Sequence, residues 1–472
     1  MLKKTIFIFI LCIGSVGLFG CSSMAPKYSR PAAPIPDSWP SGAAYNTAPL
    51  PGAETVASLK WHDFFSDETL QNVIERALQN NRDLRIAVLN IEKARALYGI
   101  QKAEIFPVVG VTGGGSQQRL PADVSGSGKV ITAEQYSVSF GLSSWELDFF
   151  GRVASLKEQA LENYLATEQA QKSAQISIVS AVANGWLGLA ADLEKLQLSQ
   201  KTLQLQEESF NLIKHRYETG ISSELDLRQA QTRVEGARVD VVANTRAVAL
   251  DQNLLNLLVG QNIPADTRPS SLAASGKLPA IAAGLPADAL LQRPDILQAE
   301  NRLKAANANI GAARAAFFPR ITLTTGLGTI SSELSGLFQS GSGTWGFAPR
   351  LDLPIFDFGR RKGNLDAALA ETNIATAQYE KAIQTAFREV ADALAAVGTA
   401  DDQVNAQESL VKALQQTHRL ALLRYQKGVD SYLPTLDAER SLYAAESGLI
   451  GLRLARMNAL VSLYKALGGG VK

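Results

Sequence analysis

Histidine and cysteine are the side chains most often asked to do chemistry, and this chain carries few of them. The three histidines stand at 62, 215 and 418 and the two cysteines at 12 and 21. No His-x-x-x-His or Cys-x-x-Cys spacing occurs, so no zinc site is written locally. Asp401-Asp402 has no His or Cys near it in sequence, and neither a glycine-rich phosphate loop nor a nucleophile elbow is present. His215 and His418 fall within long helical patterns, where packing is the ordinary role. Catalytic residues, metal ligands and cofactors are therefore expected to be none. A soft-metal relay is disfavoured too, because beyond residue 21 only Met24 and Met457 offer thioethers, far apart in sequence.

Cys21 is the exception. Lys3 and Lys4 precede the apolar run "TIFIFILCIGSVGLFG", which ends at Cys21. This is the basic and apolar pattern of a secretory signal, residues 1–20, too short for a stable membrane span. Leu18-Phe19-Gly20-Cys21 resembles a bacterial lipobox, in which the new N-terminal cysteine carries acyl chains. An ordinary signal peptide with a chance cysteine is the alternative. With lipid on Cys21 and Cys12 removed, no internal disulfide can form. Ser22 in place of aspartate suits sorting to the outer membrane. A formal net charge of +1 gives no basic excess for nucleic acid.

The remaining pointed residues occur twice. "RYETGISSELDLRQAQTR" at 216–233 is answered by "RYQKGVDSYLPTLDAERS" at 424–441, "DFFGR" at 148–152 by "FDFGR" at 356–360, and "DLRIA" at 83–87 by "DILQA" at 295–299. The chain reads as a tandem duplication. Its expected parts are a lipidated segment and collar at 21–66, a first repeat at 67–260, a connector and collar at 261–285, a second repeat at 286–468 and a tail at 469–472.

The elements that must position the motifs follow from proline and hydrophobic period. No proline lies between Pro121 and Pro264 or between Pro354 and Pro434. Proline costs about 3 kcal/mol inside a helix, so these gaps accommodate long helices. We expect them at about 151–218 and 359–427, each ~100 Å, with return helices at about 221–259 and 430–467. Val182, Leu189, Leu196, Leu203, Phe210 and Tyr217 recur by sevens, as do Val390, Val397, Val404, Val411, His418 and Tyr425. Such a seam means helices supercoiled on neighbours. Gly220 and Gly428 can end a helix with positive φ, and Arg216 and Arg424 in the last turn suit its dipole. Past residue 21 no apolar stretch long enough for a membrane helix is expected.

Hairpins are expected at about 107–149 and 319–355. Tyr136, Val138, Phe140 and Leu142 alternate with small residues, as do Ile321, Leu323, Thr325 and Leu327. Strands of about ten residues cross a bilayer at a tilt. Phe106, Phe149, Phe150, Phe317, Phe318, Phe356 and Phe358 gather at the strand bases, as in a headgroup belt. Two ordinary surface hairpins are the alternative. If the strands do cross, two hairpins cannot close a barrel, and open edges do not survive in lipid, so several chains must share one.

Together, the lipobox, the segment "PKYSRPAAPIPDSW" at 26–39, the paired "DFFGR" and "FDFGR" and the two tip motifs resemble the outer-membrane factor family of tripartite efflux systems, in its OprM-like, TolC-related lipoprotein branch. The resemblance implies a mixed α and β membrane protein: a tandem-duplicated protomer of a trimeric 12-stranded β-barrel, continued by a long α-helical barrel with an equatorial collar. It implies a passive exit duct for small toxic compounds, lipid-anchored in the outer membrane and extending into the periplasm. The implied partners are two further copies of the chain, a periplasmic adaptor and an inner-membrane pump. It also places rings of leucine and aspartate at the tip, here Leu433 and Asp437, with Pro434 a departure that bears on ring geometry. An exposed helix-start aspartate is the plainer account of Asp437. Arg216, Tyr217, Gly220, Arg424, Tyr425 and Gly428 would meet the adaptor, or serve only as caps and seam ends. A type I secretion duct and a coiled-coil spacer lipoprotein remain the alternatives.

Overall fold

The computed structural model describes residues 23–45, 59–276 and 278–469, the last stretch without 280, 282 and 285. The chain divides into two compact units. One comprises the residues up to Pro31, Ile91–Thr167 and Ala299–Tyr379, and the other Ala32–Asn90, Glu168–Gln298 and Glu380 onward.

The helices are α1 (Trp61–Phe64), α2 (Glu68–Asn80), α3 (Arg82–Ala103), α4 (Arg152–Glu218), α5 (Glu224–Val259), α6 (Pro286–Leu290), α7 (Pro294–Ala315), α8 (Arg360–Gln426) and α9 (Leu433–Ala466). Among the described residues four strands lie between them: β1 (Val109–Leu120), β2 (Ile131–Leu147), β3 (Arg320–Ser331) and β4 (Gly343–Asp352). Helices α4 and α8 each run 67 residues without a break.

The first unit holds the sheet, antiparallel throughout in the order β1-β2-β3-β4. Cross-strand partners share a face, so the register sorts the side chains. One face carries the rows Val111–Phe140–Leu327–Trp345, Val109–Leu142–Thr325–Phe347 and Leu147–Ile321–Leu351. The other carries Gly110–Gly141–Gly326–Gly346 and Thr112–Ser139–Gly328–Thr344. A Cβ added at Gly141 would run into the backbone of Thr325 and Gly326. Glycine there lets the strands approach closely.

Alternation read from sequence stops at Leu142, because a β-bulge sits between Leu142 and Trp145. Ser144 takes φ 50° and donates its N–H to Thr324 Oγ1 at 3.1 Å. The extra residue shifts the parity, so Trp145 and Leu147 rejoin Phe140 and Leu142 on the large-residue face.

The N-terminal stretch in this unit lies along α7. Asn307 Nδ2 donates to the Pro26 carbonyl at 2.8 Å and Arg314 to the Met24 carbonyl at 3.2 Å. Glu300 accepts Arg30 Nε and Nη2 at 3.0 and 2.7 Å, and Tyr28 Oη at 3.2 Å.

The second unit holds an aromatic core. Tyr464 stacks on Phe64 with centroids 4.1 Å apart, and Trp186 donates Nε1 to Asp67 Oδ2 at 3.2 Å. Asp67 also caps α2, accepting the N–H groups of Thr69 and Leu70. Asn81 separates α2 from α3: its Oδ1 accepts Leu84 N–H, and its Nδ2 donates to the Leu258 carbonyl at 2.7 Å. One sequence expectation needs correction here. α4 does contain an apolar window long enough for a membrane span, but most of it is buried within the protein. Val182, Ala183, Trp186, Leu187 and Leu189 are its core side, so its hydrophobicity serves packing.

Candidate functional site

Two regions gather the residues that the sequence singles out. The first is the sheet base. All four helix–strand junctions lie at one end of the sheet, where α3 and α7 lead in and α4 and α8 lead out. Phe150 and Phe318 stack there at 4.9 Å, Phe356 and Phe358 meet edge-on at 4.5 Å, and Arg361 lies over Phe317 at 5.5 Å. Phe106, Phe149, Phe317, Phe318, Phe356 and Phe358 are all exposed. Side chains that sequence reading had passed over complete this region. Glu146 receives two hydrogen bonds from Arg152, at 2.8 and 2.7 Å, and pairs with Arg320 at 2.6 Å. The charged residues flanking the paired phenylalanines in "WELDFFGR" were the available signal.

The second region is the pair of helix turns in the second unit. Gly220 and Gly428 adopt φ 76° and 69°. In each copy the glycine N–H returns to the tyrosine carbonyl three residues back, and the next N–H to the arginine carbonyl, as 220→217 with 221→216 and 428→425 with 429→424. That pattern closes a helix with a left-handed residue. The turns then diverge. α5 opens with a capping box, Ser223 with Asp226. α9 opens after Tyr432 without a side-chain cap, and Pro434 occupies its first turn, where no N–H is missed.

The duplicated tyrosines also part company. Tyr217 is 40% exposed, whereas Tyr425 is 8% exposed and packs with Ile213, Ala230, Tyr432 and Leu436. Arg216 lies over the Tyr425 ring, 5.1 Å from its centre. Arg424 instead makes two bonds to Asp430, at 2.6 and 2.9 Å. The guanidinium of Arg424 holds the Asp430 carboxyl below the usual carboxylate range. The structure thus brings Arg216 to Tyr425 and leaves Gly220 and Gly428 in open space.

Leu433 and Asp437 sit one turn apart on the exposed side of α9, while Thr435, Leu436 and Ala438 between and beside them are buried. Asp437 has an exposed pair with Arg440 at 3.4 Å. Nearby, Glu439 joins three helices: Gln206 donates to it at 2.9 Å and His418 Nε2 lies 3.3 Å away. His418 is thus a polar seam residue with a partner, not an apolar one. Cys21 and the preceding segment, residues 46–58 of the collar and 470–472 of the tail lie outside the described residues. Among the described residues no group of three or more His, Cys, Asp or Glu is placed to hold a metal.

Comparison with known proteins assigns this architecture to a family. The sequence model described as "Outer membrane efflux protein" matches twice, over residues 73–261 and 285–469. The chain is 49% identical over 462 residues to the toluene efflux pump outer membrane protein TtgC of Pseudomonas putida, covering 98% of this chain and 95% of that one. Among solved structures, the chain resembles a membrane protein from Pseudomonas aeruginosa with TM-score 0.88 and 44% identity, covering 95% of this chain and 98% of that one. It also resembles the outer membrane channel MtrE of Neisseria gonorrhoeae in its open state, with TM-score 0.86 and 38% identity over 96% and 99% of the two chains. These relatives are channel and efflux proteins, not enzymes. The chain belongs to the outer membrane efflux protein family: it is an outer-membrane protein of efflux.

Proposed function

We propose that three copies of this chain share one barrel and form the passive outer-membrane exit duct of a tripartite efflux pump. The observation that carries this reading is the two-faced sheet with both edges open. Large apolar side chains dominate the half of one face nearer the helices, suited to lipid, giving way to Gln117, Glu134 and Arg119 towards the far end, and the other face is mainly glycine, serine and threonine with an ionic row at its base, suited to a water-filled lumen. β1 and β4 each pair on one side alone among the described residues. In lipid their free N–H and C=O groups need strands from another copy. Three chains would supply twelve strands, four from each, and so enclose a modest pore.

On this reading α4, α5, α8 and α9 continue the duct as a helical barrel, with a collar from residues around 21–66, 261–285 and the C-terminal end. Cys21 carries the lipid anchor. Leu433 and Asp437, on the face of α9 that its own chain leaves uncovered, form the constriction: a dewetting ring and a cation-attracting ring. Arg216, Tyr217, Gly220, Arg424, Tyr425 and Gly428 build the surface that meets a periplasmic adaptor, which links the duct to an inner-membrane pump. The cargo is small toxic compounds, in keeping with the names of the relatives.

The test is single-channel recording in a planar bilayer, comparing the wild type with the double variant Leu433→Ala, Asp437→Ala. A small, cation-preferring conductance that rises several-fold in the variant supports the pore and its gate. Equal conductance refutes the gate. Silence from both folded proteins refutes the channel and favours a spacer.

A further inference from the structure

The two open edges of the sheet are complementary to each other. Beyond the Thr329–Gly343 pair, the Ile330 N–H donates to the Ser342 carbonyl at 2.8 Å. Backbone groups turn to alternate sides along a strand, so the even-numbered residues of β4 bond to β3. The odd-numbered ones present their groups to the open edge. These odd residues also carry Trp345, Phe347 and Leu351, all exposed on the large-residue face. At the opposite edge, β1 offers three consecutive glycines, Gly113, Gly114 and Gly115. Tyr136 lies across from Gly115, where an added Cβ would stand 3.2 Å from its ring.

Pairing rules then select how such edges meet. Each face must continue across the seam, so odd residues of β4 oppose odd residues of β1. Both strands must be fully used, because unpaired backbone groups are costly in lipid. One antiparallel register alone places all of Gly343–Asp352 against Val109–Leu120: Phe347 opposite Gly115, Leu351 opposite Val111 and Gly346 opposite Ser116. A shift of two residues either way leaves one end of β4 without a partner. Closure agrees with this choice. The row Val109–Leu142–Thr325–Phe347 would meet the next copy at Gly115, six residues beyond its start. Three copies then accumulate eighteen residues of stagger over twelve strands. With about 3.3 Å per residue and about 4.8 Å between strands, the strands tilt by about 45°, as barrel strands do.

We propose that β4 of one copy pairs with β1 of a second copy in this register, and that Phe347 locks the seam by closing on Tyr136 across Gly115. The inference rests on the shared-barrel reading above and adds the residues that hold the copies together. The glycines give the ring its seat, since a side chain at Gly115 would stand between Phe347 and Tyr136. Aromatic residues laid over edge glycines stabilise strand pairing and pin its register. Leu351 and Val111 add an apolar pair directly opposite each other. Pro349 has no N–H, so its pairing with Gly113 lacks one bond, which an edge strand tolerates.

The experiment is disulfide trapping in the full-length protein. Gly346→Cys with Ser116→Cys, and Thr344→Cys with Gln118→Cys, place thiols directly opposite in the proposed register, within disulfide reach. Within one copy these positions stand three strand spacings apart, about 14 Å, so a bond forms only between copies. Gly346→Cys with Gly114→Cys, and Gly346→Cys with Gln118→Cys, report registers shifted by two residues either way. After oxidation the opposed pairs should give about tenfold more covalent trimer on non-reducing gels than the shifted pairs. Adding Phe347→Ala to an opposed pair should lower that yield about threefold. An unchanged yield overturns the lock and leaves the register. Shifted pairs that trap as much trimer or more overturn the register and leave the shared barrel standing. No trimer from any pair, in reduced protein that still conducts in a planar bilayer, removes the shared barrel and the register with it.

Discussion

Replacing Arg30 by alanine should free the segment that follows Cys21. Arg30 makes two charge-assisted bonds to Glu300, at 3.0 and 2.7 Å. The Glu300 side chain is 4% exposed and that of Arg30 46% exposed. Bonds to charged groups contribute about 1.5–3 kcal/mol when sheltered, and the half-exposed guanidinium lowers the sum to about 2 kcal/mol. Glu300 would retain Tyr28 at 3.2 Å and Lys304 at 3.5 Å, which limits the loss. A change of about 2 kcal/mol multiplies the open population by roughly 30. Trypsin cleavage after Lys27 reports that population when opening and closing are fast. The variant should therefore be cut about 30-fold faster at pH 7. Burial works to raise the Glu300 carboxyl, but the bonds from Arg30 and the charge of Lys304 outweigh it and hold it low. A depressed carboxyl contributes stability above its unfolded pKa, near 4.3, and loses it as pH falls through the folded value. With an acid protease, the wild-type segment should loosen below about pH 4, whereas Arg30→Ala should change little. Equal cleavage of the two folded proteins at pH 7 would refute the clasp.

Three further outcomes follow from individual positions. Gly428→Val should destabilise the turn by about 1–2 kcal/mol, because a β-branched residue is strained at φ 69°; hydrogen exchange around 424–433 should speed up, and Gly428→Asn should be milder. Asp251 is pushed up to about 6 by burial and by the nearby Asp192. A raised carboxyl contributes stability at low pH that is lost as pH rises through 6, so Asp251→Asn should raise the thermal midpoint at pH 7.5 and leave it unchanged at pH 4. Leu327→Arg, on the large-residue face beside Phe140 and Trp345, should cost about 2–4 kcal/mol in a bilayer and abolish the trimer that chemical cross-linking would trap if three copies share the barrel, while Gly346→Ser on the opposite face should preserve it.

What could be read from the chain alone was whatever a short window encodes. Proline-free stretches and heptads marked α4 and α8, because proline and hydrophobic period act through neighbours within a turn or two. Gly220 and Gly428 announced their turns for the same reason, and alternation marked the strands as far as Leu142. The bulge at Ser144 was not legible, since nothing in "GLSSWEL" says which residue is skipped until β3 is laid beside it. Nor did the duplication reveal that its copies differ. Tyr217 and Tyr425 hold matching places in the motif, yet only Tyr425 is covered, by Arg216, Tyr432 and Leu436. The Arg30–Glu300 clasp and the sharing of Glu146 between Arg152 and Arg320 were likewise invisible. Burial and ion pairing depend on which distant segments meet, and that meeting is set by the packing of the entire chain rather than by local preference.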